Sequence, residues 1–447
     1  MLETLKNAWK MADLRAKLLY TGMILLLFRI GAAIPVPFLK PDILKTYISG
    51  DNNWLGYIDL LSGGAFSNST LFALGISPYI TASIVIQLLA VAIPALEQLA
   101  KEGEEGRKIL NKYTRYCTVA LGLLQSVAYY FLMRNYGALT YTEGPAMYFS
   151  AVVIITSFLA GSMLVMWMGE QIDNKGIGNG ISMILFAGIV SRASSMVNTV
   201  ITELYLAING IMKYWFIVPF TLVLFLAAIV FIVIMTNAER RIPVQYAQRV
   251  VGRKMYGGQS THMPIKINMS GVLPIIFASS ILSLPGTVQM FISADKYKGT
   301  GWEKFFNAFQ SDSWWYAGMY FLLIIFFAYF YSTIQYNPIE MANNLRKNNG
   351  AIPGIRPGKP TSDYIMRVLS RLTLIGSLML CVVALFPIVY SLICKAAIPP
   401  LETGGDDGGM SITLGGTSII IMCGVALETV RQLESQLMMR HYKGFLD

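Results

Sequence analysis

Charge is scarce in this chain. Of its 447 residues only 13% are Asp, Glu, Lys or Arg, while 55% are hydrophobic. Soluble proteins carry roughly 25% charged residues, so a protein solvated by lipid is expected. Histidine and cysteine are scarcer still. His262 and His441 are the only histidines, and Cys117, Cys381, Cys394 and Cys423 all lie in or at the ends of apolar runs. Cysteine in such places behaves as a small hydrophobe, and the spacings fit neither a disulfide framework nor a metal site. No metal and no cofactor is therefore expected. Reaction motifs are missing too. Neither HExxH nor GxSxG occurs, which removes support for a metalloprotease or a serine nucleophile. The stretch Gly354-Ile355-Arg356-Pro357-Gly358-Lys359-Pro360 falls short of a phosphate loop: the spacing before its Lys is incomplete, and Pro360 stands where Ser or Thr would hold magnesium. No catalytic residue is assigned, the chain is not expected to be an enzyme, and energy must come from partners.

What the chain has in plenty is apolar runs of about 20 residues, the length a helix needs to cross the hydrocarbon. Ten spans are predicted, over 18–38, 71–95, 114–134, 147–169, 179–201, 214–237, 269–292, 313–336, 367–396 and 411–431. The amphipathic, basic segment 1–17 precedes them. It is expected to stay on the chain, because no small-residue cleavage site follows the first apolar run. Placing it in the cytoplasm sorts the charges. Lys6, Lys10, Arg15 and Lys17, then Lys101, Arg107, Lys108, Lys112 and Arg115, fall on that side. So do the basic residues after the sixth and eighth spans and those of the tail 432–447. Most of the 35 Lys and Arg residues thus share one side, which puts both termini in the cytoplasm.

Two cytoplasmic loops are long for a membrane bundle, 237–268 and 337–366, and a docking surface is expected of them. In the first, apolar-polar alternation flanks Gly257-Gly258 and predicts a hairpin there. In the second, the Pro and Gly residues of 350–364 predict a stiff, non-helical basic loop. The span centres read as nearly free of ionisable groups, which argues against an ion-coupled carrier. Arg29 stands out, in the outer half of the first span, and is read as a structural anchor.

One stretch is unusual. At about 100° per residue, Ile76, Ile80, Ser83 and Gln87 share a stripe of the second span. Lipid would not favour that mixture, so the stripe faces either protein or water; helix packing and a pore lining fit it equally. Gly75, Pro78 and Pro94 make the span locally breakable, and the short piece Ser62-Gly63-Gly64-Ala65-Phe66-Ser67 ahead of it can fold as a half-helix only where it is shielded from lipid. A stopper over a pore would be such a piece.

At this point the chain resembles the SecY family of protein-translocating channels along nearly its whole length. The matching stretches include RIGAAIPVPF (29–38), LSGGAFSNSTLFALGISPYITASIVIQLL (61–89), KEGEEGRKILNKYTRY (101–116), GIGNGISMILFAGIV (176–190), ERRIPVQYAQR (239–249), GQSTHMPIKINMSGVLPIIFASSI (258–281), NPIEMANNLRKNNGAIPGIRPGKPT (337–361) and GGTSIII (415–421). The resemblance implies an all-α, polytopic membrane protein. Its ten helices would form two inverted five-helix halves, 18–201 and 202–431, closing like a clamshell around an hourglass pore. It further implies a plug over about 55–70, with Ser62 to Ser67 at its heart. A pore ring of Ile76, Ile80, Ile181, Leu185, Ile276 and Ile421 is implied, the ring staying aliphatic although Leu185 stands where many relatives have Ile. A lateral gate near Thr81, Ile84, Ser279, Ser280 and Ile281 is implied too, its hydroxyls holding the seam by modest bonds of about 0.6 kcal/mol each. Arg240, Arg241 and Arg356 match loop positions that meet a ribosome or a motor ATPase. The partners implied are the small membrane subunits SecE and SecG, the motor SecA, the ribosome, signal-bearing polypeptides and membrane lipids, at a bacterial plasma membrane. The rival readings are a secondary transporter of small solutes, which needs an ionisable midplane site, and an intramembrane enzyme.

Overall fold

The computed structural model describes residues 2–49, 59, 62–208, 214–246, 249–251, 254–256, 260–292, 301–310, 313–397 and 416–443. Helices dominate. The first part holds α1 (Leu2–Lys10), α2 (Ala12–Gly31), α3 (Pro41–Ser49), α4 (Ser77–Ala92), α5 (Pro94–Lys101), α6 (Glu104–Asn135), α7 (Pro145–Lys175), α8 (Gly180–Ser191), α9 (Ala193–Ile208) and α10 (Tyr214–Asn237). The second holds α11 (Leu273–Leu282), α12 (Leu284–Gln289), α13 (Gly301–Ala308), α14 (Trp314–Gln335), α15 (Pro338–Lys347), α16 (Lys359–Ala397) and α17 (Gly416–Lys443).

Proline starts helices here more than it breaks them. It occupies one of the first two positions of α4, α5, α7, α11, α12 and α15, where its missing N–H would have had no partner anyway. Pro78 therefore lies in the first turn of α4 and not, as the sequence suggested, inside a span that began near residue 71. Asn179, Ser313 and Asn337 cap α8, α14 and α15 through their side chains, satisfying amides that a helix leaves open.

Each of the ten expected spans overlaps a helix or a helix pair, but several edges move. By length and composition, five described helical segments (104–135, 145–175, 218–237, 314–347 and 359–390) suffice to cross a membrane, and a sixth if α4 and α5, bent by 102° at Pro94, are taken together. The helix α6 begins well ahead of the expected 114, and its 32 residues measure about 48 Å, against a hydrocarbon thickness of about 30 Å. The fifth span is broken at Arg192 into α8 and α9, and the seventh at Ser283, two residues before Pro285, into α11 and α12.

The two long loops, 237–268 and 337–366, depart from an all-helical fold. Strand β1 (Glu239–Tyr246) pairs antiparallel with β4 (Ser260–Lys266), and between them β2 (Arg249–Val251) pairs with β3 (Lys254–Tyr256). The expected turn at Gly257 and Gly258 lies outside the described residues. The second loop is irregular and non-helical over 352–358, as expected, but not over the whole of 350–364. It contributes α15, then β5 (Gly350–Ala351), which adds to the edge of β1 to give the order β4-β1-β5. Helix resumes at Lys359 because Pro360 sits in the first turn of α16, where proline is tolerated. Ile242 and Val244 of β1, Ile265 of β4, Ala342 and Leu345 of α15, Ile352, and Ile365, Leu369 and Leu372 of α16 are buried together. The loops are thus one small packed body with its own apolar core.

The largest core threads α2, α4, α7, α8, α10, α11, α14, α16 and α17. A second core gathers α3, α6 and α7 around Phe66, Ala73 and Leu74, with Met290 from beyond α12.

Candidate functional site

Ahead of α4 the chain does not form the expected half-helix. Residues 62–76 run as consecutive turns. Gly63 and Gly64 make the path possible, with φ of 68° and 84°, left-handed values that cost an ordinary residue about 1–2 kcal/mol. Ser62, Gly63, Ala65 and Phe66 are buried, and Gly64 and Ser67 are half-buried. A Cβ on Gly63 would stand 2.8 Å from the Gly188 carbonyl oxygen and 2.9 Å from its Cα. The segment therefore lies backbone against backbone on α8.

Polar bonds fix it from several sides. Asp59 organises the turn: its carbonyl accepts from the Gly64 N–H at 2.9 Å and the Ser62 hydroxyl at 3.1 Å, and its Oδ1 accepts from the Ser67 N–H at 2.7 Å. Its other oxygen, Oδ2, meets Arg192 Nη1 at 2.7 Å. From α2, Arg29 Nη1 donates to the Gly63 carbonyl at 3.1 Å, the anchoring role read from the sequence. From α6, the Tyr129 hydroxyl donates to the Phe66 carbonyl at 2.6 Å, and the two rings lie 4.6 Å apart. Behind the segment, Val36 N–H donates to Ser69 and Leu71 N–H to Ile34, at 3.0 and 2.9 Å.

The apolar candidates all fall in or against the largest core. Ile76 stands at the N-cap of α4 with Ile80 one turn on; Ile181 and Leu185 come from α8, Ile276 from α11 and Ile421 from α17. Ile76, Ile80, Leu185, Ile276 and Ile421 are buried in one cluster, Ile181 packs against it half-buried, and Ala65 of the turn segment belongs to it as well.

The seam between α4 and α11 is built differently from expectation. Thr81, Ile84 and Ser279 are buried there, with Ser280 and Ile281 half-buried. The hydroxyls do not bridge the helices. Thr81 donates to the Ser77 carbonyl at 3.1 Å, and Ser279 and Ser280 both donate to the Ile276 carbonyl, at 2.9 and 2.8 Å. The carbonyl one turn back is always within reach of such a hydroxyl, so it wins over a partner across a seam. At the polar end of the stripe, the Gln87 amide donates to Ser83 at 3.0 Å, beside Tyr331 of α14.

On the loop body, Arg240, Arg241 and Arg356 are all exposed. Arg241 pairs with Glu239 at 2.8 Å, a surface contact worth little. Another joint was legible only as a glycine pattern. In 176–180, Ile177 N–H donates to Thr21, Gly178 N–H to Gln432 and Gly180 N–H to Asp173, at 3.1, 2.9 and 2.7 Å. That loop ties α2, α7 and α8 to α17. Among the described residues no group of three or more His, Cys, Asp or Glu side chains could hold a metal ion.

Sequence reasoning missed Asp59, Tyr129 and Arg192. Arg192 should have been found, because it falls near the middle of the span expected over 179–201, where Arg29 alone had been singled out. A cation in an apolar run signals a helix break or a buried partner, and here it marks both. Tyr129 looked like any aromatic of a span.

The SecY family model matches residues 70–430. The protein translocase subunit SecY of Mycobacterium tuberculosis is 42% identical over 462 residues, covering all of both chains. That of Thermotoga maritima is 39% identical over 454 residues, covering all of this chain and 98% of the other. Among solved structures, a protein-conducting channel aligns with a TM-score of 0.58 at 18% identity, over 94% of this chain and 92% of that one. The Sec61 channel of a canine ribosome-channel complex aligns with a TM-score of 0.53 at 16% identity, over the same shares.

Proposed function

The chain belongs to the SecY family, and on that premise we propose that it is the channel subunit of a protein translocase, passing unfolded secretory polypeptides across the plasma membrane and releasing membrane-protein segments sideways into lipid. The observation that supports this reading is that Ile76, Ile80, Ile181, Leu185, Ile276 and Ile421, far apart in sequence, all belong to or pack against the largest apolar core, which Ala65 of the turn segment also joins.

A waist of branched aliphatics suits the task. Hydrocarbon dewets a constriction and so opposes ions, yet it deforms around whatever side chain is passing. Charged rings would select substrates by sign. The segment 62–70 acts as the plug that closes what the ring leaves open. In this reading ten helices cross the membrane in two halves, with both termini in the cytoplasm, the waist at the middle of an hourglass and the gate along the α4–α11 seam. A hydrophobic signal segment enters that seam because leaving water favours it by about 25 cal/mol per Å² of apolar surface. The loop body, with Arg240, Arg241 and Arg356 outward, receives the ribosome or the motor SecA, and SecE and SecG accompany the chain in the membrane. A packed core under those arginines supports docking over a mere topology signal, since orientation needs charge but no folded surface.

The test is site-directed crosslinking in the assembled translocase. A stalled secretory chain is expected to form adducts with cysteine placed at Ile80 or Ile276 and not at Leu226, which is 61% exposed on the outer face of α10. Equal labelling at Leu226 would sink the conduit. Uptake of small solutes by proteoliposomes that pass no polypeptide would favour a transporter instead.

A further inference from the structure

We propose that Asp59 and Arg192 form a latch that sets the resting position of the plug and, with it, how tightly the idle channel is sealed. The proposal rests on the plug reading above and adds the residues that hold the plug shut.

The Asp59 side chain is 2% exposed and that of Arg192 27%, with 2.7 Å between Oδ2 and Nη1. A carboxylate so enclosed needs a cation, because leaving a buried charge without its partner is strongly destabilising. The same carboxylate holds the Ser67 N–H through Oδ1, and the Asp59 carbonyl holds Gly64 and Ser62. Asp59 and residues 62–67 are thereby closed into one unit, which must part from Arg192 if it is to swing away. On the other side, Arg192 caps α8 at its junction with α9, and α8 carries Ile181 and Leu185 of the waist. Gly63 lies against Gly188, and the Ser191 hydroxyl stands 3.4 Å from the Gly63 carbonyl. A polypeptide that pushes α8 outward therefore strains the ion pair directly. Once water enters, both charges regain hydration, which makes the latch releasable as well as firm.

The measurement is the resting ion conductance of the assembled translocase in planar bilayers, with deletion of residues 62–67 as reference. Asp59→Asn keeps an oxygen for the Ser67 N–H while removing the charge, and Arg192→Met removes the cation. Each is expected to raise resting conductance at least about tenfold. The double variant is expected to go no further than either single change, as for residues acting through one contact, and Arg192→Lys to stay near the parent level. Should Asp59→Asn fail to assemble, Arg192→Gln carries the test, since it leaves the bonds within the turn untouched. If the deletion raises conductance while the charge-removing variants do not, or if their effects simply add, the latch is overturned and the plug stands. If the deletion leaves conductance unchanged, the plug reading fails and the latch falls with it.

Discussion

The turn segment 62–70 and the aliphatic side chains of the core that Ala65 joins are held by opposite physics. The segment is fixed by directional bonds to Asp59, Arg29 and Tyr129 and by a glycine pressed on the α8 backbone. Ile76, Ile80, Leu185, Ile276 and Ile421 are fixed by contact alone, having no polar atom in their side chains. Directional bonds define one position and fail together, which suits a stopper that is either seated or gone. Dispersion contacts are individually worth about 0.1–0.2 kcal/mol and re-form in any arrangement, which suits a gasket.

The contrast is sharpest at Gly63. Gly63→Ala forces a left-handed residue with a Cβ into the Gly188 backbone, and it is expected to unseat the segment at a cost of about 2–5 kcal/mol. The resting conductance should rise most in this variant, and an unchanged value would show that the close approach to α8 is dispensable. Tyr129→Phe comes next. It deprives the buried Phe66 carbonyl of its Tyr129 donor, worth about 1–3 kcal/mol, and conductance should rise less; no change would mean that ring packing holds Phe66 by itself. Thr81→Val is expected to do least, within about 0.5 kcal/mol, because its hydroxyl only returns to the Ser77 carbonyl. A translocation assay with a weak signal sequence should find stringency unaltered, and a clear loosening would mean that the hydroxyl does bridge the seam as the gate moves.

Much of the architecture was legible in advance. Every apolar run overlaps a helix or a helix pair, and five or six of those helical segments are long and apolar enough to cross a membrane, because lipid imposes its length on a helix regardless of fold. Their edges shifted where local chemistry overruled hydropathy, at the proline starts of α4 and α11 and at Arg192. The alternation flanking Gly257 and Gly258 announced strands, and β3 and β4 lie on either side of them, but the long β1 (Glu239–Tyr246) that pairs with β4 was not announced, since its partner lies about 20 residues further along the chain. That the two loops would share a core through β5 and α15 was not legible, since the pairing spans more than 100 residues of chain.

Of the candidate site, the sequence carried the ingredients: aliphatic stripes on several spans, a glycine-rich piece that no lipid-facing chain could tolerate, and an arginine where hydrocarbon should be. These follow from composition and local spacing, which a chain cannot hide. Only the tertiary structure decided that Ile76 and Ile421 share one core, that Asp59 answers Arg192 across 133 residues, and that the seam hydroxyls turn back on their own helices. Burial and partner choice belong to the packed whole, because a buried charge or hydroxyl takes the nearest competent partner, and nearness is fixed only once the helices have docked.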